Sequence, residues 1–280
     1  MNALRESMPS GGGVSFPPLT PVVKWVLIVL GGIFLVQWIL GLAAPEVEYV
    51  LVEWLGLNHG MWFDAPPYFP VWQLLTYGLL HGGFTHVLWN CLILYFFGTM
   101  VEGTVGSRRF AWFLAAGTIA GGVASVLLME IVGATIPTIG ASGAAVAATL
   151  AAATFHPRAT MIFIFIPLPL WVFAVIVVAR DFFPAVQILA GQGMPMVDHF
   201  AHIGGALFGF LAVRKNFIWV DWGGRVELAL KRRRERALAD DEQELDELLA
   251  RVGREGIQSL SPRERDFLKR MSERKSKGGR

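Results

Sequence analysis

Charged residues and cysteines are scarce in this sequence. Only 16% of its 280 residues are charged, 54% are hydrophobic, and the mean hydropathy is +0.51, which is too apolar for an ordinary soluble domain. The single cysteine, Cys91, excludes an intrachain disulfide and lies in an apolar run, where a small buried side chain is expected. The first 20 residues lack an apolar h-region, so we expect no cleavable signal peptide.

Lys and Arg residues are also rare over most of the chain. Of the 24 Lys and Arg residues, 18 lie at Arg214 or beyond it and six lie before it. We therefore predict three parts: an N-terminal cytoplasmic lead (1–24), a membrane domain (25–216) and a charged cytoplasmic helical tail (217–280).

Long runs without a charge predict membrane-spanning helices, because about 20 apolar residues in a helix span the hydrocarbon core. We count six spans and predict an all-α membrane protein, a six-transmembrane-helix bundle followed by the helical tail. The fourth span is short and rich in alanine, the sixth is also short, and two prolines are expected to kink the fifth. The predicted spans are Trp25–Ala44, Gly82–Val101, Phe110–Leu128, Ser142–Thr154, Met161–Ala179 and Ala201–Val213.

The loops show which side of the membrane each span starts from. Lys and Arg before span one, between spans two and three, between four and five, and after span six would all lie on one side, which the positive-inside rule makes cytoplasmic. The connection 45–80 contains no Lys or Arg and is rich in aromatic residues, which suits the opposite interface. Both termini are therefore predicted to be cytoplasmic, in a multi-pass protein of the cell (inner) membrane.

Polar side chains from three spans converge on one layer near the outer face. Ser142 opens span four, His202 lies at the start of span six, and His86 and Asn90 lie in the first turns of span two. Polar groups in a membrane are costly and by default mark a functional site. Each residue alone is explained by hydrogen bonding between helices, but their shared depth favours a site.

Chemistry at this layer follows from the residue types. His202 is a suitable base for the Ser142 hydroxyl, which is a poor nucleophile without one. His86 and Asn90 share a helix face, and with the backbone N–H of Ser142 they supply donors for an oxyanion hole. His81 lies at the start of that helix and is placed to orient it.

Glycines surround the serine and its partner helix. Gly140 and Gly143 allow backbone with positive φ and the close approach of another helix, although G-x-S-G alone is also an ordinary helix start. Gly205 and Gly209 form a G-x-x-x-G pair, which indicates close helix packing.

Two alternatives stay open at this stage. Asp198, four residues before His202, is placed to orient its ring as a third member of a triad. A zinc site is the other alternative, although no H-E-x-x-H pattern occurs and G-x-S-G would be left unexplained. Its ligands would come from His81, His86, Asp198, His199 and His202.

The whole pattern resembles the rhomboid family of intramembrane serine proteases over about residues 25–215. The resemblance rests on four groups of residues in this order along the chain. They are His81-x4-His86-x3-Asn90, Gly98-x3-Glu102-x3-Gly106-Ser107, Gly140-Ala141-Ser142-Gly143 and Ala201-His202-Ile203-Gly204-Gly205-x3-Gly209.

The resemblance implies a serine-type endopeptidase that cleaves transmembrane protein substrates near the outer membrane face through a covalent acyl-enzyme. Ser142 and His202 would act as a catalytic dyad, with His86, Asn90 and the Ser142 N–H as the oxyanion hole and Glu102 as a structural hydrogen-bonding group. It gives Asp198 no triad role. We expect the lipid bilayer and transmembrane substrates as partners, and no cofactor, metal or nucleic acid.

Two positions differ from the family pattern. Gln73 stands after Trp72 where family members often carry arginine, and Val146 stands where some members stack an aromatic ring on the catalytic histidine. A non-proteolytic membrane binding protein of the same fold is the second functional hypothesis, and the intact positions of Ser142 and His202 argue against it.

The tail is predicted to form a charged helix over residues 223–252, followed by a second helix capped by Ser261-Pro262-Arg263-Glu264. Its basic cluster, 231–234, is suited to anionic headgroups or to a solvated face. Apolar residues of the two helices predict a small hairpin core: Leu245, Leu248, Leu249, Val252, Ile257, Leu260, Phe267, Leu268 and Met271.

Overall fold

The computed structural model describes residues 17–63, 69–133, 137–163, 166–192 and 197–278. It divides the chain after Val220 into a larger and a smaller unit. Residues 1–16 of the predicted N-terminal lead lie outside the described residues. The larger unit contains α1 (Pro21–Ala43), α2 (Pro45–Leu55), α3 (His59–Phe63), α4 (Gln73–Thr76), α5 (Phe84–Ile93), α6 (Thr99–Val105), α7 (Ser107–Ile131), α8 (Ser142–Phe155), β1 (Thr160–Phe163), β2 (Ile166–Pro169), α9 (Leu170–Leu189) and α10 (His199–Arg214); the smaller unit contains α11 (Trp222–Glu255) and α12 (Pro262–Gly278).

Within the described residues, four helical segments are long and apolar enough to cross a membrane. They are α1, the continuous segment from α5 to α6 joined by a π-helical turn at Leu94–Gly98, α7 and α9. α8 and α10 have 14 and 16 residues, which makes them about 21 and 24 Å long at 1.5 Å per residue. The protein is thus a helical membrane protein, and the count of six spans stays a prediction.

α8 forms the centre of the larger unit. Ten of its 14 residues are buried, most of them alanines. α10 lies directly against it, because a Cβ on Gly205 would collide with the carbonyl oxygen of Gly143, and one on Gly209 with that of Ala147. The glycine pair therefore lets the helix that carries His202 approach the helix that begins with Ser142.

The prediction for the fifth span, Met161–Ala179, is wrong at both ends. Its first part forms an antiparallel hairpin of β1 and β2, and α9 begins only at Leu170. Proline lacks an N–H and disfavours helical backbone in the residue before it, so Pro167 and Pro169 lie in β2 rather than kinking a helix. α9 then continues beyond residue 179 to Leu189, which places Asp181 inside a helix.

Gln73 joins the segments of the connection between α1 and α5. Its side chain is fully buried, and its Oε1 accepts hydrogen bonds from the Asn58 N–H (3.1 Å) and the Trp62 indole (3.2 Å). Its Nε2 donates to the backbone carbonyls of Glu53 and Trp54, both at 3.3 Å. An amide has both donors and an acceptor, so glutamine anchors this loop where the family often has arginine.

Glu102 ties three helices together. Its carboxylate accepts hydrogen bonds from the backbone N–H groups of Val22 and Val23 at the start of α1, both at 3.0 Å. It also accepts from the hydroxyls of Thr20, at 2.5 Å, and Ser107, at 2.6 Å. These N–H groups have no partner within their own helix, so the buried carboxylate caps α1 from α6.

The smaller unit is a pair of helices. The predicted capping box is confirmed, since the Ser261 N–H donates to Glu264 Oε2 (2.7 Å) and the Glu264 N–H to Ser261 Oγ (3.3 Å). Of the predicted hairpin core, Leu249 and Ile257 are instead exposed. The buried members are Leu245, Leu248, Leu260 and Met271.

Candidate active site

Ser142 and His202 are in direct contact. The Oγ of Ser142, the first residue of α8, lies 2.7 Å from Nε2 of His202 in the first turn of α10. His202 is 7% exposed. A hydroxyl hydrogen-bonded to a buried imidazole is the arrangement of an activated nucleophile and its base.

Asp181 contacts the other nitrogen of the same ring. Its Oδ1 lies 2.9 Å from Nδ1 of His202 and 2.8 Å from Nδ1 of His199, and its Oδ2 lies 3.0 Å from Nη2 of Arg180. The residue is 1% exposed. Ser142, His202 and Asp181 therefore form a continuous chain of hydrogen bonds.

Sequence reasoning missed Asp181 because it ended the fifth span at Ala179. That boundary assigned the pair Arg180-Asp181 to a loop, where charges are unremarkable. The signal was present, since an acidic residue followed by eight largely apolar residues up to Leu189 is an ionisable group inside a helix, and such groups mark functional sites.

Asp198 does not contact His202. Its Oδ1 accepts a hydrogen bond from the Ala201 N–H at 3.0 Å and so caps α10. Its Oδ2 accepts from the hydroxyls of Thr138 (2.7 Å) and Ser125. The carboxylate that contacts the His202 ring is thus that of Asp181 and not that of Asp198.

His86 and Asn90 lie beside Gly140, two residues before the serine. A Cβ on Gly140 would lie 2.6 Å from both Cε1 and Nε2 of His86 and 3.7 Å from Nδ2 of Asn90. Gly140 has φ of +126°, a conformation that favours glycine. Asn90 is 3% exposed, and within the part of the chain that the structure describes its Nδ2 has no hydrogen-bond partner.

Ser142 itself contributes a backbone donor. As the first residue of α8, it has an N–H without an acceptor in its own helix, and the described neighbours supply no side-chain cap there. Gly143 follows and lies against Tyr77 and the Ala201 carbonyl, where a Cβ would come within 3.2 and 3.3 Å. The predicted oxyanion-hole donors thus surround the backbone immediately before Ser142.

His81 supports this loop from the start of α5. Its backbone N–H donates to Gln37 Oε1 (3.0 Å), and its Nε2 lies 3.4 Å from the Ala141 nitrogen. Its ring packs edge-to-face on His86 with centroids 5.0 Å apart. Burial, with a smaller contribution from His86, lowers the pKa of His81 to about 4, so the ring is neutral near pH 7.

The residues proposed as zinc ligands separate into different places. His81 and His86 lie against each other, and Asp198 caps α10. His199 and His202 instead join Asp181, with ligand atoms within 4.8 Å of one another, which is close enough to hold a metal ion. Here the guanidinium of Arg180 pairs with the same carboxylate, an arrangement that favours hydrogen bonding over a second cation.

An apolar cavity of about 280 Å³ lies beside His202, between α8, α9 and α10. Val146 lines it, at the position where some family members carry an aromatic residue. Val177, Ile203 and Phe210 form part of the remaining wall, and Asp181 and His202 also line the cavity.

Comparison with known proteins assigns a family to most of the larger unit. The family model described as the Rhomboid domain matches residues 69–217, and one described as a family of unknown function (DUF6576) matches residues 233–274. The chain is 31% identical over 141 residues to rhomboid protease GluP of Bacillus subtilis (strain 168). It is 33% identical over 146 residues to presenilin-associated rhomboid-like protein, mitochondrial, of Rattus norvegicus, and 28% over 154 to RHOMBOID-like protein 12, mitochondrial, of Arabidopsis thaliana.

These similarities cover parts of the proteins compared. Each takes in 50% of this chain, and 25%, 37% and 44% of the Bacillus, rat and Arabidopsis proteins. The chain thus spans less than half the length of these relatives.

Proposed function

The chain belongs to the rhomboid family, and from this premise we propose that it is an intramembrane serine endopeptidase with Ser142 as nucleophile and His202 as general base. The observation that carries the proposal is the 2.7 Å contact between Ser142 Oγ and His202 Nε2. The similarity to a Bacillus protein named as a rhomboid protease supports the reaction class.

The chemistry follows from the positions of these groups. Ser142 Oγ attacks the carbonyl carbon of a peptide bond while its proton passes to His202 Nε2. The Ser142 N–H, His86 and Asn90 stabilise the negative charge that develops on the carbonyl oxygen. His202 then gives the proton to the leaving amine, and water, activated by the same ring, hydrolyses the acyl-enzyme.

The substrate class follows from the apolar surroundings of the site. Four helical segments in the described part of the chain are long enough to cross a bilayer. α8 and α10, which carry the site, both pack against two of them, α7 and α9. We propose that α8 and α10 complete a six-span bundle and that the substrate is a transmembrane helix, unwound near the outer face so that a peptide bond reaches Ser142. With few positive charges outside the cytoplasmic loops, both termini would be cytoplasmic in the inner membrane.

The proposal can be tested with the full chain reconstituted in proteoliposomes with a reporter transmembrane substrate. Cleavage by the wild type, and its loss in Ser142→Ala and His202→Ala, are the expected results. Normal cleavage by Ser142→Ala together with inhibition by a chelator would replace the serine mechanism with the metal-dependent one. Binding of the reporter without cleavage, by wild type and Ser142→Ala alike, would favour the non-proteolytic alternative.

A further inference from the structure

Resting on the proposed function, we infer that Asp181 is a positioning residue that fixes the tautomer and orientation of His202. The inference goes beyond a two-residue mechanism, because it adds a third group, on α9, to the pair on α8 and α10. Three observations carry it: the hydrogen bonds of Asp181, the cavity beside the His202 ring, and the groups that hold Asp181 in place.

The hydrogen bonds determine which nitrogen of His202 carries the proton. An ionised carboxylate only accepts hydrogen bonds, and Asp181 is paired with Arg180 at 3.0 Å. The Nδ1 atom of His202, 2.9 Å away, must therefore be the N–H donor. A neutral ring has one protonated nitrogen, so Nε2 keeps its lone pair towards Ser142, as a general base requires.

The cavity shows why the ring depends on this hydrogen bond. Val146 stands where an aromatic ring would cover the face of the imidazole, and an apolar space of about 280 Å³ lies there instead. Little packing on that side opposes rotation of the His202 ring. The hydrogen bonds at its two nitrogens, to Ser142 and Asp181, then set its orientation.

Asp181 is itself held by groups on two helices. His199 Nδ1, on α10, donates to the same Oδ1 at 2.8 Å, and Arg180, on α9, pairs with Oδ2. Both histidines contact the carboxylate through Nδ1, so a single acceptor orders two rings. A residue with a carboxylate that is only 1% exposed in a membrane helix costs free energy and by default marks a functional site. Fixing the orientation of the His202 ring is the function that we infer for Asp181.

The test is steady-state cleavage by the full chain, comparing Asp181→Asn with the matched control Asp198→Asn. Asparagine at 181 presents either an oxygen or an NH₂ group, so it no longer requires an Nδ1–H on His202. We expect kcat to fall about 100- to 10,000-fold with KM within about threefold of wild type.

Asparagine is as good a helix cap as aspartate, and the hydroxyls of Thr138 and Ser125 can accept hydrogen bonds from its NH₂ group in place of donating to Oδ2. Asp198→Asn should therefore leave kcat and KM near wild type. Wild-type kcat in Asp181→Asn would overturn the inference. An equal loss of kcat in both variants would also overturn it, because the loss would then come from general disturbance of α10.

A second measurement does not depend on how well the variant folds. Nitrogen-15 NMR of histidine-labelled wild type at pH 8 should show His202 protonated at Nδ1 and bare at Nε2, whereas the opposite tautomer overturns the inference. Failure of the proposed function is distinguishable, because wild type would then cleave no reporter while the tautomer would still report on Asp181.

Discussion

At the scale of single residues, the site depends on groups whose hydrogen bonds and available space are set by their neighbours. Asn90 has a buried amide without a hydrogen-bond partner among the described residues, and Gly140 offers its backbone without a side chain. Both features leave room for a developing oxyanion beside Ser142. Substitutions of single residues are therefore the most direct tests of the chemistry.

Gly140→Ala should lower kcat about 100-fold. The added Cβ would lie 2.6 Å from His86 and would require an L-residue at φ of +126°, and loss of one oxyanion donor typically costs 100- to 1,000-fold. Reporter cleavage measures the effect. Gly133→Ala is the control, because Gly133 also has positive φ, +65°, but none of the residues that the structure describes lies within 4 Å of its Cβ position. Equal losses in both variants would mean that backbone strain, and not His86, is responsible.

His81 should make the fold sensitive to acid. Its pKa is lowered from 6.5 to about 4, so the unfolded chain binds more protons between these values and stability falls as pH drops from 6.5 towards 4. We expect this residue to account for on the order of 2 kcal/mol of the stability lost between pH 7.5 and 4.5. Thermal unfolding of wild type and His81→Gln measures it, and equal pH dependence in both would contradict the assignment.

At the scale of elements, the site is set by how closely α10 approaches α8. Gly205 and Gly209 contact α8 backbone, at the carbonyls of Gly143 and Ala147. His202 lies one turn before Gly205 on the same helix. The distance between Ser142 Oγ and His202 Nε2 is therefore determined by the packing of small residues and not by these two side chains alone.

Gly205→Ala should separate the two helices. Its Cβ would meet the Gly143 carbonyl, and a shift of about 1 Å at a catalytic group costs about 100-fold in rate. Overpacking should also lower stability by about 1–3 kcal/mol. Cleavage and thermal unfolding are measured alongside Gly103→Ala, a helical glycine with open space. Wild-type cleavage by Gly205→Ala would show that the helices tolerate separation.

The sequence was enough to predict Ser142, His202, His86 and Asn90 as neighbours. Each lies in the first turns of a predicted helix, and the order of the apolar runs along the chain shows that these helices start on the same side of the membrane. The hairpin of β1 and β2 was missed because its strands are as apolar as a span, and only Pro167 and Pro169 indicated a break. Asp181 was missed because the fifth span was ended at Ala179, although the apolar residues after Asp181 indicated a longer helix. Its contact with His202 on α10 depends on packing between helices and leaves no local pattern.

At the scale of the whole molecule, the distribution of charge makes the strongest prediction. Most Lys and Arg residues lie in the tail, and the connection between α1 and α5 has none. This asymmetry predicts the direction in which the helices cross the membrane.

Single cysteines in a Cys91→Ser background should reveal that direction. An impermeant maleimide should label Glu48→Cys, in the connection after α1, from outside intact cells. Ser259→Cys, in the smaller unit, should be labelled only after the membrane is opened, as the positive-inside rule requires. The reverse pattern would invert the proposed topology and place the site at the cytoplasmic face.

The most direct test of the central claim is to map a fluorophosphonate adduct on the full chain in proteoliposomes by peptide mass spectrometry. The oxygen of a serine that a neighbouring base has activated displaces fluoride from such a probe and forms a phosphonate ester. We expect a single adduct on Ser142 that is lost in His202→Ala and retained in His156→Ala, a histidine outside the site. No adduct on Ser142 in wild type that cleaves the reporter, or an adduct that persists in His202→Ala, would contradict the account.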